Sequence, residues 1–180
     1  MIAEIGHALL WMAAALALLQ IVAGVVELRG GMLAPVRPLA VAQGVLTLIA
    51  FAALILVFAQ SDMSVELVVK NSHSAKPMLY KIAGAWGNHE GSMLLWLSIL
   101  GVAGAGVALF ERRLDPRTLA ATLVAQSALA LGFFAFLLFV SNPFKRLLIP
   151  QADGMGLNPL LQDPGLAFHP PTLYFGYVGL

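Results

Sequence analysis

The chain has 180 residues, 60% hydrophobic and 11% charged, with a net charge of +1 and no cysteine. Soluble domains carry about 25% charged residues, so there is too little polar surface to wrap a water-soluble globule, and an integral membrane protein is expected. The near-neutral charge leaves no basic face for nucleic acid, and the lack of cysteine excludes disulfides, thiolate metal sites, thioether-linked cofactors and thiol redox chemistry.

In chain order, four long apolar runs stand out, at 5–26, 39–59, 93–110 and 119–140, and a fifth opens at 173 and continues to 180. At about 1.5 Å rise per residue the first run reaches roughly 33 Å, enough for a hydrocarbon core of roughly 30 Å. No Lys or Arg precedes Arg29, and the first run is too long for a cleavable signal peptide. It therefore reads as a retained transmembrane helix with a translocated amino end. The fold expected for 1–180 is a single all-α membrane domain. It is a polytopic transmembrane helix bundle of four complete spans plus a truncated fifth, with two long external loops at 61–90 and 141–171.

The connections alternate in character. The short ones carry Arg29 and Arg37, then Arg112, Arg113 and Arg117, whereas the long ones carry Lys70, Lys76 and Lys81, then Lys145 and Arg146. The counts tie, but the short loops are denser in positive charge, and the positive-inside rule is read on short loops. The long loops are thus placed outside, which puts His73, His89 and His169 on the outer face and His7 near it. In the first long loop, "SVELVVKNS" alternates apolar residues at Val65, Leu67 and Val69, the pattern of a short extended segment. The second is rich in proline and glycine and should be ordered by turns. Inside the runs, away from the helix ends, the polar residues are Gln20, Gln43, Thr47, Ser98, Thr122, Gln126 and Ser127, with no Asp, Glu, Lys or Arg. That argues against a transport pathway and for interhelical hydrogen bonding, worth about 0.6–2 kcal/mol per contact.

Two stretches invite a chemical reading. In "AWGNHEGSMLLW", His89-Glu90 lacks the second histidine of a zinc-protease motif, since Met93 stands in its place. Asn88 or Ser92 suits a helix cap, Glu90 suits the helix dipole, and Trp86 and Trp96 suit an interfacial belt. Capping and anchoring thus compete with a functional role for His89. In "FHPPTLYFGY", the residue before a proline is pushed toward extended geometry, and Pro170 and Pro171 suit the first turn of a helix. His169 is then expected on a stiff hinge above the fifth helix, among Phe168, Tyr174, Phe175 and Tyr177. It reads either as a helix-start residue among interfacial aromatics or as an axial ligand for a haem lying at the membrane surface. The turn "DPG" at Asp163 delivers the chain to it.

The segments "EIGHALLWMAAALAL", "WGNHEGSMLLW" and "LNPLLQDPGLAFHPPTLYFGYVG" resemble the amino-terminal part of the CcmF family of cytochrome c maturation proteins, along essentially all 180 residues. The related nitrite-reductase haem lyase subunit shares these motifs. The resemblance implies a multi-pass protein of the bacterial inner (plasma) membrane, with its amino terminus and long loops on the periplasmic side. It implies a haem lyase that takes haem b from the chaperone CcmE and works with CcmH-type subunits. The haem is presented at the outer face for thioether attachment to apocytochrome c. The family's "HPP" histidine, here His169, is implied as one axial ligand of the haem iron, with no catalytic residue assigned. Trp86, His89, Glu90, Pro170, Pro171 and Tyr174 are candidate outer-face contacts for haem or a partner. The family's Trp-rich haem-handling segment and its further histidines are expected beyond residue 180. The resemblance therefore implies part of a lyase complex, not active alone, and the alternative is a non-catalytic membrane scaffold docking maturation partners.

Overall fold

The computed structural model describes residues 1–30 and 35–179, so the last residue of the expected 173–180 run lies outside the described residues. The described residues form α1 (Ile2–Leu28), α2 (Val36–Ala59), α3 (Glu66–Asn71), α4 (Met78–Gly84), α5 (His89–Phe110), α6 (Pro116–Phe139) and α7 (Pro164–Gly179). A single 3-10 turn, Pro159–Gln162, precedes α7, and no strand is present among the described residues. Four helices, α1, α2, α5 and α6, are long and apolar enough to cross a membrane. Large apolar side chains such as Met12, Leu19, Val22, Leu56 and Leu129 stay on their outer surfaces. This all-round apolarity suits hydrocarbon, where a helix satisfies its own backbone.

The four spans pack as a closed square, α1 against α2 and α6, and α5 against α2 and α6. Neighbours run antiparallel. Gln20, late in α1, donates from Nε2 to the Leu123 carbonyl early in α6 (2.9 Å). Arg37, at the start of α2, donates to the carbonyls of Ala108 (2.8 Å) and Glu111 (3.1 Å) at the end of α5. Gln126 reaches the Leu100 carbonyl across α5 and α6 (2.9 Å), and Ser98 lies 3.4 Å from the Thr47 carbonyl across α5 and α2. Gln20, Gln126 and Ser98 are thus interhelical links, while Gln43 and Thr47 bond to each other within α2 and Thr122 turns to its own helix at Thr118. Where α2 crosses α5 the backbones touch. A Cβ on Gly44 would sit 2.4 Å from the Gly101 carbonyl oxygen.

Both long connections lie at one end and fold against each other. Arg146 forms an antiparallel bridge with Val65. Around it the Glu66 amide donates to the Lys145 carbonyl (2.9 Å), and the Leu147 amide to Ser64 (2.8 Å). Further on, Met155 donates to Val69 (2.7 Å) and Gly156 to Ser72 (3.0 Å). The expected extended segment at 65–69 is therefore the helix α3, and only Val65 pairs as a strand would. Its adjacent residues Leu67 and Val68 are both buried, which helix curvature allows and strict alternation does not. Glu66 pairs with Lys70 one turn on, and Asn71 donates to the Leu67 carbonyl (2.9 Å).

The last helix begins earlier than its apolar run suggests. Pro164 opens α7 with the fixed φ that suits a first helical position, and the Ala167 amide donates to the Asp163 carbonyl (2.9 Å). His169, Pro170 and Pro171 therefore lie within the helix rather than on an extended hinge above it. The local bias of a pre-proline residue yields to a helix already nucleated five residues upstream.

Gly44→Ala is expected to destabilise the bundle by about 1–3 kcal/mol, the usual cost of overpacking. Thermal unfolding in detergent should show a lowered midpoint for this variant and little change for Gly106→Ala, where an added Cβ meets nothing within 4 Å.

Candidate functional site

All four histidines lie at the long-loop end. His7, in the second turn of α1, accepts at Nε2 from the Trp11 indole (3.1 Å) and from Asn142 Nδ2 (3.2 Å), which ties α1 to the second long connection. His73 places Nε2 3.3 Å from the Asp153 carboxylate. His89 opens α5 with Nδ1 3.3 Å from the Ser141 hydroxyl and its ring edge-on to Phe136 at 5.5 Å. His169 lies on α7, exposed, and its ring makes no hydrogen bond among the described residues.

The "WGNHEG" turn is built by capping. The Asn88 side chain accepts from the Gly91 amide (2.7 Å) and donates to the Gly84 carbonyl (2.7 Å). Of the two expected caps, Asn88 fills the role, and the Ser92 hydroxyl instead donates to the Trp86 carbonyl (2.6 Å). The turn is so tight that a Cβ on Gly91 would fall 1.6 Å from the Ala85 carbonyl oxygen. Trp86 is thereby aimed across to α7, where its Nε1–H donates to the Ala167 carbonyl (2.8 Å). Its ring also faces Phe51 at 6.4 Å.

The candidate residues fall into two groups. Trp86, Tyr174, Pro170 and Pro171 belong with His169. Ala167 is buried, Pro170, Pro171 and Tyr174 are half-buried, and Tyr174 packs on the main core. His169 points the other way, because two residues along a helix turn the face by about 200°. It shares its outward stripe with Thr172 and Gly176, while Phe168, Phe175 and Tyr177 are exposed on the flanks. His89 and Glu90 form the second group. Glu90 lines a polar cavity of about 150 Å³ with Glu66, Lys70, Ser141 and Lys145, and no hydrogen bond, ion pair or ring contact joins His89 or Glu90 to His169. The sequence reading missed Ser141, Asn142 and the Ala167 carbonyl as partners. Only Ala167 carried a signal, since Pro171 has no amide to serve the carbonyl four residues before it.

Charge pairing holds the two long connections together. Arg146 bonds to Glu4 (2.9 Å) and lies 3.7 Å from Asp62. Lys145 pairs with Glu66 (2.9 Å), whose carboxyl is held below its usual range by Lys70 and then Lys145. Asp153 accepts from the Ser74 hydroxyl, the Ser74 amide (2.9 Å) and the Gly154 amide (2.8 Å). These donors, the Ser74 hydroxyl first, hold its carboxyl down to about 2.

A square of four membrane-length helices, capped at one end by interlocked loops beside the histidine-bearing α7, defines a polytopic membrane protein. The profile of the family described as "Cytochrome C assembly protein" matches residues 86–180, and the chain belongs to that family. It is 52% identical over 183 residues to the cytochrome c-type biogenesis protein ccl1 of Rhodobacter capsulatus, covering 100% of this chain and 28% of the relative. It is 48% identical over 122 residues to the cytochrome c-type biogenesis protein NrfE of Haemophilus influenzae, covering 68% of this chain and 19% of the relative. A solved structure titled "Cytochrome c Heme Lyase CcmF" superposes with a TM-score of 0.82 at 24% identity, over 99% of this chain and 28% of that one. It shares the fold. The chain spans about 28% of the length of such relatives.

Because the folded value of Asp153 lies below its unfolded one, its contribution to the clasp is complete above the ordinary aspartate range and is lost as pH falls from about 4 towards 2. Amide hydrogen exchange at Ser74 and Gly154 should stay protected down to about pH 5 and lose protection below about pH 3, after correction for intrinsic exchange rates. Asp153→Asn should lose that protection at neutral pH.

Proposed function

We propose that the chain is the amino-terminal portion of a membrane haem lyase for c-type cytochrome biogenesis, with His169 as one axial ligand to the iron of its haem substrate. One observation carries this reading. The His169 imidazole stands unbonded on the outward face of α7, on a helix whose other face is anchored to the bundle. The exposed rings of Phe168, Phe175 and Tyr177 beside it suit the apolar faces of a porphyrin. Among the described residues no side chain bonds to the imidazole, and a neutral ring nitrogen is the donor that haem iron takes. The chemistry and the setting therefore fit haem b.

Bound haem supplies two vinyl groups as the reactive centres for thioether formation. In that addition a cysteine sulfur of the apocytochrome bonds to one vinyl carbon and its proton ends on the neighbouring carbon. What this chain contributes is orientation. Ligation by His169 fixes the plane of the ring, and a fixed reactant gains from proximity. The second axial ligand is assigned to the remainder of the longer protein. The outer-face assignment rests on the Arg-dense short loops, and with it His169 faces the periplasm of a bacterial inner membrane. Haem from a CcmE-type chaperone and apocytochrome from CcmH-type subunits would arrive on that side. The scaffold alternative draws on the loop clasp, which offers a rigid polar surface for docking partners.

His169→Ala in the full-length protein should abolish c-type cytochrome maturation while leaving the protein in the membrane at normal levels. Haem-stained gels beside an immunoblot read both quantities. Normal maturation with this variant would overturn the haem-ligand reading, and lost maturation with retained partner co-purification would separate it from loss of docking.

A further inference from the structure

We infer that Trp86 is a positioning residue for His169, acting through the backbone of α7 and not by touching haem. The inference rests on the reading of His169 as an iron ligand. In a regular helix the Ala167 carbonyl would accept from the amide of residue 171. Residue 171 is proline and has no amide hydrogen. Ala167 is 3% exposed, so water does not serve the carbonyl instead. The Trp86 indole N–H takes the place of the missing donor at 2.8 Å. A buried carbonyl left without a donor is costly, so this one bond decides how α7 passes through its two prolines.

The donor itself is firmly held. The Trp86 carbonyl accepts from Ser92, its amide donates to the Ala83 carbonyl (3.2 Å), and its ring faces Phe51. The turn before α5 thus reaches α7 through the Trp86 side chain. Further along α7, the Thr172 hydroxyl lies within hydrogen-bond reach of the His169 carbonyl (2.9 Å) and the Phe168 carbonyl (3.2 Å). His169 therefore sits between two side-chain bonds to the backbone, one on each face of the helix. Moving the Ala167 carbonyl tilts the His169 Cα–Cβ bond, and with it the nitrogen offered to iron. Outer partners of this kind, which orient a metal ligand, typically contribute about 10–100-fold to affinity.

The test uses the full-length protein in its own membranes, titrated with haemin. Trp86→Phe keeps the ring and removes the N–H. Pro171→Ala supplies the backbone N–H that the helix lacks, so the two changes should be coupled. Trp86→Phe alone should bind haemin about 10–100-fold more weakly, with an altered low-spin spectrum. In the Pro171→Ala background the same change should cost little. Wild-type haemin binding by Trp86→Phe, or an equal loss in both backgrounds, would overturn the inference. Should Trp86→Phe fail to accumulate, rescue by Pro171→Ala supports it and failure in both backgrounds overturns it. His169→Ala separates the two claims. If that variant binds haemin as the wild type does, the ligand reading fails, while hydrogen exchange along 167–176 still reads the coupling of Trp86 to Pro171.

Discussion

Hydrocarbon offers no hydrogen-bond partner, so each backbone group within it must be satisfied by the protein itself. That constraint shapes the whole chain. It makes the four spans helical, it keeps most of their polar side chains off the outer surface, and it sends every charge to the ends. Gln20, Gln126 and Ser98 point at carbonyls of neighbouring helices, and the bare backbones of Gly44 and Gly101 let α2 and α5 approach closely. The same rule governs α7, where Pro171 removes a backbone donor and Trp86 replaces it from the turn before α5.

The loops at the long-loop end make that replacement possible. Asn88 caps α5 and shapes the turn that aims Trp86. The second long connection is held against the first by backbone pairing at Val65 and Arg146 and by Glu4, Glu66 and Asp153. This delivers the chain to Pro164 and α7 to the flank of α5. The polar clasp and the presented histidine are therefore one assembly. The clasp fixes where α7 starts, and Trp86 fixes how it continues past His169.

Periodic, long-range features were legible in the residues. Unbroken apolar runs marked the four spans, because a membrane helix must be apolar over its whole length. Their ends were less clear, since α1, α2 and α5 extend into polar or charged residues such as Glu4, Arg37 and His89, whose tips reach the interface. Short elements were not legible. The alternation at Val65, Leu67 and Val69 fits a strand, but Leu67 and Val68 are buried together against the bundle, and burial decided for a helix. The hinge expected at His169 failed for a related reason. Pre-proline bias is a local preference of one residue, and a helix begun at Pro164 whose Ala167 carbonyl is served by Trp86 outweighs it.

By itself, then, the sequence determined membrane residence, the number of long spans and the family, because each is carried by composition or by a contiguous motif. Only the tertiary structure decided that Trp86 belongs with His169 and that His89 and Glu90 do not. Trp86, His89 and Glu90 stand within one short stretch, yet a tight turn at the head of a helix sends them to different faces. Trp86 meets Ala167 and His89 meets Ser141, 81 and 52 residues away, and no local pattern encodes that distance.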